Sequence, residues 1–180
     1  MPEPSDEYIR SRVANALTED IGSGDATTNA IVNADHRSAA FITAREEMVL
    51  CGLSLAKEVF NQLDPECEIQ NLHEDGHQIG ENGNIMSIMA TTRALLAGER
   101  TALNFIQRLS GIATMASLYV NEAKDSNALI LDTRKTTPGW RLLEKYAVQC
   151  GGARNHRRGL DDMIMIKDNH LASMDGPNRI

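Results

Sequence analysis

The 180-residue sequence contains no apolar run approaching the ~18 residues that a membrane-spanning helix needs. Its first residues, MPEPSDEYIR, lack the basic-then-apolar pattern of a secretory signal. Cysteine is scarce: Cys51, Cys67 and Cys150 are scattered and odd in number, with no CxxC spacing. Neither a disulfide framework nor a zinc site is indicated, and no metal ligand set is read from these residues. There is no internal repeat and no low-complexity segment. There is also no excess of positive charge, since the formal net charge is -7, which argues against nucleic acid as a partner. These absences together lead us to expect a soluble, cytoplasmic, globular protein that engages neither membrane nor nucleic acid.

One stretch reverses the overall sign. Residues 132–170 carry eight basic and five acidic residues, a net of +3, while the rest carries -10. A local basic cluster in an acidic chain suggests a site for a small anion, although a solvated charged loop would have the same composition.

Hydrophobic spacing organises the chain into two parts. Residues 6–17 place Ile9, Val13, Ala16 and Leu17 at helical intervals. TEDIGSGDATT reads as a polar loop. SAAFITAREEMVLCG reads as extended chain, alternating at Ala40, Ile42 and Ala44. LSLAKEVFNQL is an amphipathic helix stopped by Asp64-Pro65. CEIQNL and NIMSIMA are short strands separated by Asp-Gly and Asn-Gly turn signals. The segment from Thr91 to Lys124 has the pattern of two helices, with a break expected near Ser110-Gly111.

From residue 128 the pattern becomes strand, helix, strand. Ala128–Leu131 and Met163–Ile166 are the strands, expected to be parallel. The helix starts at Thr137-Pro138, with Thr137 as cap, and is closed by Gly151-Gly152. In parallel α/β folds, ligands sit at the carboxyl ends of strands. Both strands end in charge: Asp132, Arg134 and Lys135 after the first, Lys167, Asp168 and His170 after the second. The intervening loop adds Arg154, His156, Arg157 and Arg158. That loop enters its strand from the amino end, so it has to fold back to reach the same face. Guanidinium forks match carboxylates, a helix N-terminus adds free N–H groups, and converging cations repel one another unless an anion joins them. The plainer alternatives are surface pairing of Arg134 and Lys135 with Asp132 or Glu144, a Schiff-base role for Lys167, and a salt-bridging surface role for Arg100.

The blocks EDIGSGDATT, ERTALNFIQRLSGIAT, LDTRKTTPGWR, YAVQCGGARNHRRGL and MIKDNHL, in this order, resemble the quinolinate phosphoribosyltransferase family. The resemblance implies an α/β chain. An N-terminal α/β sandwich domain over residues 1–110 is followed by the start of an open α/β barrel over residues 111–180. It implies conversion of quinolinate and phosphoribosyl pyrophosphate to nicotinate mononucleotide, carbon dioxide and pyrophosphate in NAD biosynthesis. Arg134, Lys135, His156, Arg157 and Lys167 would bind the substrate, with Lys135 and Lys167 catalytic. Arg100 would reach the active site of a neighbouring subunit in a homodimer or larger homo-oligomer. Mg2+ would accompany the phosphoribosyl donor, on protein ligands that this chain does not supply. Family chains continue for roughly another hundred residues, so the 180-residue polypeptide alone is expected to be inactive and poorly stable. Trp140 and Arg158 depart from the family pattern and are expected at the pocket edge. Two alternatives accompany this reading: a related pyrophosphorylase-like protein of a molybdate-transport context, and a non-catalytic quinolinate-binding fragment.

Overall fold

The computed structural model describes residues 3–173. The first helix, α1 (Asp6–Ile21), is one turn longer than its apolar spacing suggests. Ser5 caps it by accepting the Tyr8 amide, and Ile9, Val13 and Leu17 are its buried stripe. Gly22 ends it, and α2 (Ala26–Ile31) follows almost at once, capped by Asp25. The presumed loop TEDIGSGDATT is therefore mostly two helix ends. Asp25 accepts both the amide and the hydroxyl of Thr28, which is the signature of an N-cap rather than of a loop.

Strand β1 (Arg37–Thr43) leads to the two-residue strand β2 (Met48–Val49), then to α3 (Leu53–Leu63). Strands β3 (Glu68–Asn71), β4 (Gln78–Ile79) and β5 (Asn84–Thr91) follow. β5 is the centre of an antiparallel sheet ordered β1-β5-β3, while β2 pairs with β4. Alternation works as expected on the inner face: Ile42, Ile88 and Ala90 are buried, while Phe41 and Met89 point outward. Asp64 stitches the helix layer to the sheet. It accepts the Thr91 amide at 2.8 Å and pairs with Arg37 of β1 at 3.3 Å.

The longest element is α4 (Thr92–Ala123), 32 residues without interruption. The break expected at Ser110-Gly111 does not occur. Ser110 is buried, and its hydroxyl accepts the Cys51 amide and donates to the Cys51 carbonyl. It serves the neighbouring segment instead of disturbing its own turn, and Gly111 is simply tolerated. Helix α4 thus runs across the expected domain boundary at residues 110–111, packing both on α3 and on the later helix Arg141–Cys150.

Beyond α4 the expected strand–helix–strand unit is present in altered form. Helix α5 (Arg141–Cys150) begins three residues after Pro138, with Trp140 at its cap position; Thr137 and Pro138 instead form the turn before it. Trp140 stacks on Phe105 of α4, ring centroids 5.4 Å apart; half-buried against the core, it also lines a small cavity with Asp20, Thr101 and Asn104. The C-terminal closure at Gly151 and Gly152 is as expected.

The parallel partner of the first strand is not Met163–Ile166. Leu131 bridges in parallel to Arg154: Arg154 donates its amide to the Ile130 carbonyl, and Asp132 donates its amide to the Arg154 carbonyl. Met163–Ile166 forms no ladder among the described residues, and Ile164 is 91% exposed. The reading from apolar runs chose the wrong second strand, because the segment that pairs is short and charged. A five-residue helix, α6 (Asp168–Ala172), follows.

Candidate active site

The Leu131–Arg154 bridge removes the topological difficulty of the basic loop. The residues after Arg154 leave a strand at its carboxyl end, on the same side as Asp132 to Lys135. No folding back is required. Asn155, His156 and Arg157 lie beside the Asp-Thr-Arg-Lys segment because they are on the neighbouring strand.

Asp132 joins the two strand ends. One of its oxygens takes the Lys145 ammonium at 2.5 Å and the His156 amide at 2.7 Å; the other takes the Asn155 side-chain amide at 2.7 Å. The same ammonium donates to the His156 carbonyl at 3.0 Å, and Asn155 also donates to the Lys145 carbonyl. Lys145 is 1% exposed. A buried pair satisfied on this many sides is held in one geometry, and removal of either partner would cost about 3–5 kcal/mol by stranding the other charge. Sequence spacing did not single out Lys145. Its signal was position: thirteen residues after a strand-end aspartate, on the one helix that connects the two strands.

A second network holds the turn before α5. Glu144 takes the Arg108 guanidinium at 2.8 Å and the Thr137 amide at 3.2 Å, while Arg108 also donates to the Thr137 hydroxyl. The acid in the first turn of α5 is thus turned back onto its own entry loop. Arg141 donates to the Thr136 hydroxyl and to the Arg158 carbonyl, fixing one strand-end loop to the other. Arg158 itself is exposed, its amide held by Asp162.

These networks take up the carboxylates that might have neutralised the predicted cations. Asp132 belongs to Lys145 and Glu144 to Arg108, so neither pairs with Arg134 or Lys135. Among the described residues Arg134, Lys135, His156, Arg157 and Lys167 have no ion pair. Arg134 is half-buried and its Nε is buried without a hydrogen-bond partner. Arg157 is 6% exposed, and its Nη1 donates to the Met163 carbonyl. His156 accepts the Arg157 amide on Nδ1. Lys135, next in the chain to Arg134, is exposed.

Lys167 stands apart from this group. It is exposed, it precedes α6, and its amide is accepted by His170 Nδ1, which makes His170 a helix-capping residue. No hydrogen bond or ion pair among the described residues brings its ammonium to Arg134 or Arg157. Arg100 lies on the exposed side of α4. A cavity of about 530 Å3 opens next to Asp132, walled by Ile112, Met115, Leu131 and Ala153; none of the predicted cations lines it. The cations sit at adjacent strand ends and not inside a closed cavity.

The described residues do not fit a magnesium site. Magnesium takes free carboxylate oxygens in octahedral array, and the one carboxylate at the strand ends is fully engaged by Lys145, Asn155 and His156. The clustered potential ligands elsewhere, Cys51, Asp75 and Cys150, are dominated by sulfur. No helix is long and apolar enough to cross a membrane among the described residues.

The fold is that of an α/β sandwich joined to the first part of an open α/β barrel, a phosphoribosyltransferase architecture. Comparison with known families matches residues 25–110 to the quinolinate phosphoribosyl transferase N-terminal domain and residues 112–180 to the C-terminal domain of the same family. The chain belongs to the quinolinate phosphoribosyltransferase family. It is 46% identical over 155 residues to a probable nicotinate-nucleotide pyrophosphorylase [carboxylating] of Synechocystis, covering 86% of this chain and 52% of that protein. It is 47% identical over 165 residues to the Bacillus subtilis protein of the same description, covering 92% of this chain and 57% of the relative. The nicotinate-nucleotide pyrophosphorylase of Francisella tularensis superposes with a TM-score of 0.92 at 42% identity, covering 98% of this chain and 62% of that one. The chain spans about half the length of the curated relatives it matches.

Proposed function

We propose that this chain carries the pyridine-diacid half of an active site that joins quinolinate to phosphoribosyl pyrophosphate, yielding nicotinate mononucleotide, carbon dioxide and pyrophosphate. One observation supports it above the rest. Among the described residues, half-buried Arg134 and buried Arg157 sit at neighbouring strand ends with no carboxylate partner, while Asp132 and Glu144 are committed elsewhere. Buried cations without a counter-charge are costly, and a planar dicarboxylate supplies two. His156 and Lys135 extend the same surface. Lys167 joins it in this reading as the ligand arrives, with Lys135 and Lys167 the catalytic pair.

In this scheme the pyridine nitrogen attacks the ribose carbon as pyrophosphate leaves. The positive ring nitrogen then stabilises the carbanion formed when the adjacent carboxylate departs as carbon dioxide, and that carbon takes up a proton to give nicotinate mononucleotide. The chain's contribution is orientation and charge placement, without a covalent intermediate. The magnesium of the donor enters as part of that substrate, with no ligand assigned here. Assembly as a homodimer or larger homo-oligomer, Arg100 reaching across the interface, and a cytoplasmic setting belong to the same proposal.

Calorimetric titration of the 180-residue chain tests it. Quinolinate should bind more tightly than nicotinate, which lacks one carboxylate. Arg134→Ala and Arg157→Ala should each weaken quinolinate binding by about ten-fold or more, as expected for one lost charge-assisted contact. Added phosphoribosyl pyrophosphate should give no turnover with this chain alone. Failure to bind quinolinate, or binding indifferent to both substitutions, would overturn the reading.

A further inference from the structure

Two of the three cysteines, distant in sequence, meet in the fold. Cys51 lies just before α3 and Cys150 ends α5; their sulfurs and an Asp75 carboxylate oxygen lie within 4.8 Å of one another. Both are free thiols, Cys51 buried and Cys150 half-buried. The third, Cys67, is elsewhere, donating to Asn61.

A metal is the first thought for two thiols and a carboxylate. Asp75, however, has no oxygen to spare. Oδ1 accepts the Gly52 and Leu53 amides, and Oδ2 accepts the Gly52 amide and the Tyr146 hydroxyl, all at 3.0–3.1 Å. These bonds satisfy the start of α3, and a metal would have to break them. What remains is a pair of facing sulfurs on two different structural units.

We propose that Cys51 and Cys150 are an oxidisable dithiol, which a hydroperoxide converts to a disulfide joining the lead-in of α3 to the end of α5.

The backbone around both sulfurs is already fixed. Ser110 of α4 clamps the Cys51 amide at 3.0 Å and its carbonyl at 3.2 Å. The Gly76 amide donates to the Leu50 carbonyl at 2.8 Å, and a Cβ at Gly76 would meet the Cys150 carbonyl at 3.5 Å. One loop therefore packs against the backbone at both cysteines. The two thiols are also unequal. The neighbouring Cys150 sulfur, together with burial and the nearby Asp75 charge, pushes the Cys51 thiol up. The neighbouring Cys51 thiol and the Tyr146 hydroxyl pull Cys150 down, against burial, Asp75 and Glu3. Cys150 is the more exposed of the two and ionises first.

The chemistry closes without a further reagent. The Cys150 thiolate attacks a peroxide oxygen, the O–O bond breaks, and Cys150 becomes a sulfenic acid as the leaving oxygen takes up a proton. The Cys51 sulfur then attacks the sulfenic sulfur: the S–S bond forms, the S–O bond breaks, and the hydroxyl leaves as water with the Cys51 proton. Two thiols are oxidised and one peroxide is reduced; a small dithiol reverses the step by exchange. Gly151 to Arg157 follow Cys150 directly, so the cross-link restrains the segment that presents His156 and Arg157.

The test treats the purified 180-residue chain with equimolar hydrogen peroxide, then denatures, alkylates and maps peptides. Alkylatable thiols should fall from three to one, leaving Cys67, with the Cys51 and Cys150 peptides recovered joined until dithiothreitol is added. The oxidised chain should also unfold at a higher temperature than the reduced one. Cys67→Ser should keep the cross-link; Cys51→Ala and Cys150→Ala should each abolish it. If the buried Cys51→Ala variant fails to fold, the half-buried Cys150→Ala variant carries the same comparison. Unlinked Cys51 and Cys150 peptides from the treated wild type would overturn the proposal, whether Cys150 remains reduced or proceeds to sulfinic acid. So would a cross-link running only through Cys67.

Discussion

Glu144 shows how a single side chain can be set by its surroundings against its own burial. Burial pushes its carboxyl up, yet the Arg108 guanidinium and the amide and hydroxyl of Thr137 outweigh this and hold it below the ordinary 4.5. Because the folded value is depressed, the unfolded chain binds the proton more readily. The contribution to stability is therefore complete above pH 4.5 and lost as pH falls through the folded value. Arg108 is half exposed, so solvent screening keeps the pair itself to about 1 kcal/mol or less. Glu144→Gln should flatten the part of the acid limb that this group contributes, while lowering stability modestly at neutral pH. Melting temperatures of the two proteins from neutral pH down to about pH 3 check this; parallel curves would show that Glu144 does not titrate as described. The residue scale is also where sequence reading was least informative. Arg134 was singled out by its type and its place at a strand end, whereas Arg157 sat in a basic loop and its role came from the family resemblance. That Asp132 and Glu144 are already occupied was not legible, since their partners Lys145 and Arg108 are brought in by α5 and α4.

At the scale of elements, the contact between α4 and α5 orders the site, and Gly151 is its closest point. A Cβ at Gly151 would collide with the Ala113 carbonyl oxygen, lie 2.7 Å from the Ala116 Cβ and approach the Ser117 amide at 3.0 Å. Two of the three obstacles are helix backbone, which cannot rotate aside. Gly151→Ala should therefore cost about 1–3 kcal/mol, the usual penalty of overpacking, by pushing the end of α5 off α4. Urea unfolding measures the loss. Because Gly151 precedes the Arg154 bridge, the Arg134-dependent binding of quinolinate should weaken in the same variant; a neutral substitution would mean that the two helices separate at no cost. Elements with strong periodicity, α3 and β5 among them, were legible in the sequence. The misreadings share one cause, that a local signal was overruled by a tertiary partner. Ser110-Gly111 looks like a break until Cys51 occupies the serine hydroxyl. Thr137-Pro138 looks like a helix start until Glu144 claims the Thr137 amide. Met163–Ile166 looks like a strand from its apolar run, whereas the charged Arg154 makes the parallel bridge.

At the scale of the whole molecule, burial is uneven. The part built on β1, β5, α3 and α4 has a continuous core that includes Leu50, Leu55, Val59, Ile85, Met86 and Leu109, each 2% exposed or less. The part after α4 leaves large apolar groups in water: Leu129 59%, Leu160 75%, Met163 51%, Ile164 91% and Ile166 51% exposed. Scattered exposed apolar residues are ordinary, but several on one short segment form a sticky surface. An extended, unpaired segment of this kind also offers free backbone donors and acceptors to a second chain. The 180-residue polypeptide in isolation should therefore self-associate as its concentration rises and should bind a hydrophobic dye in the folded state. Ile164→Lys combined with Leu160→Lys should suppress association, since both remove exposed apolar groups from this segment. Sedimentation velocity over a concentration series, run on both proteins, distinguishes the outcomes. A wild-type chain that remains monomeric throughout, or a double variant that associates as strongly as wild type, would show that this apolar surface does not govern how the polypeptide behaves in solution.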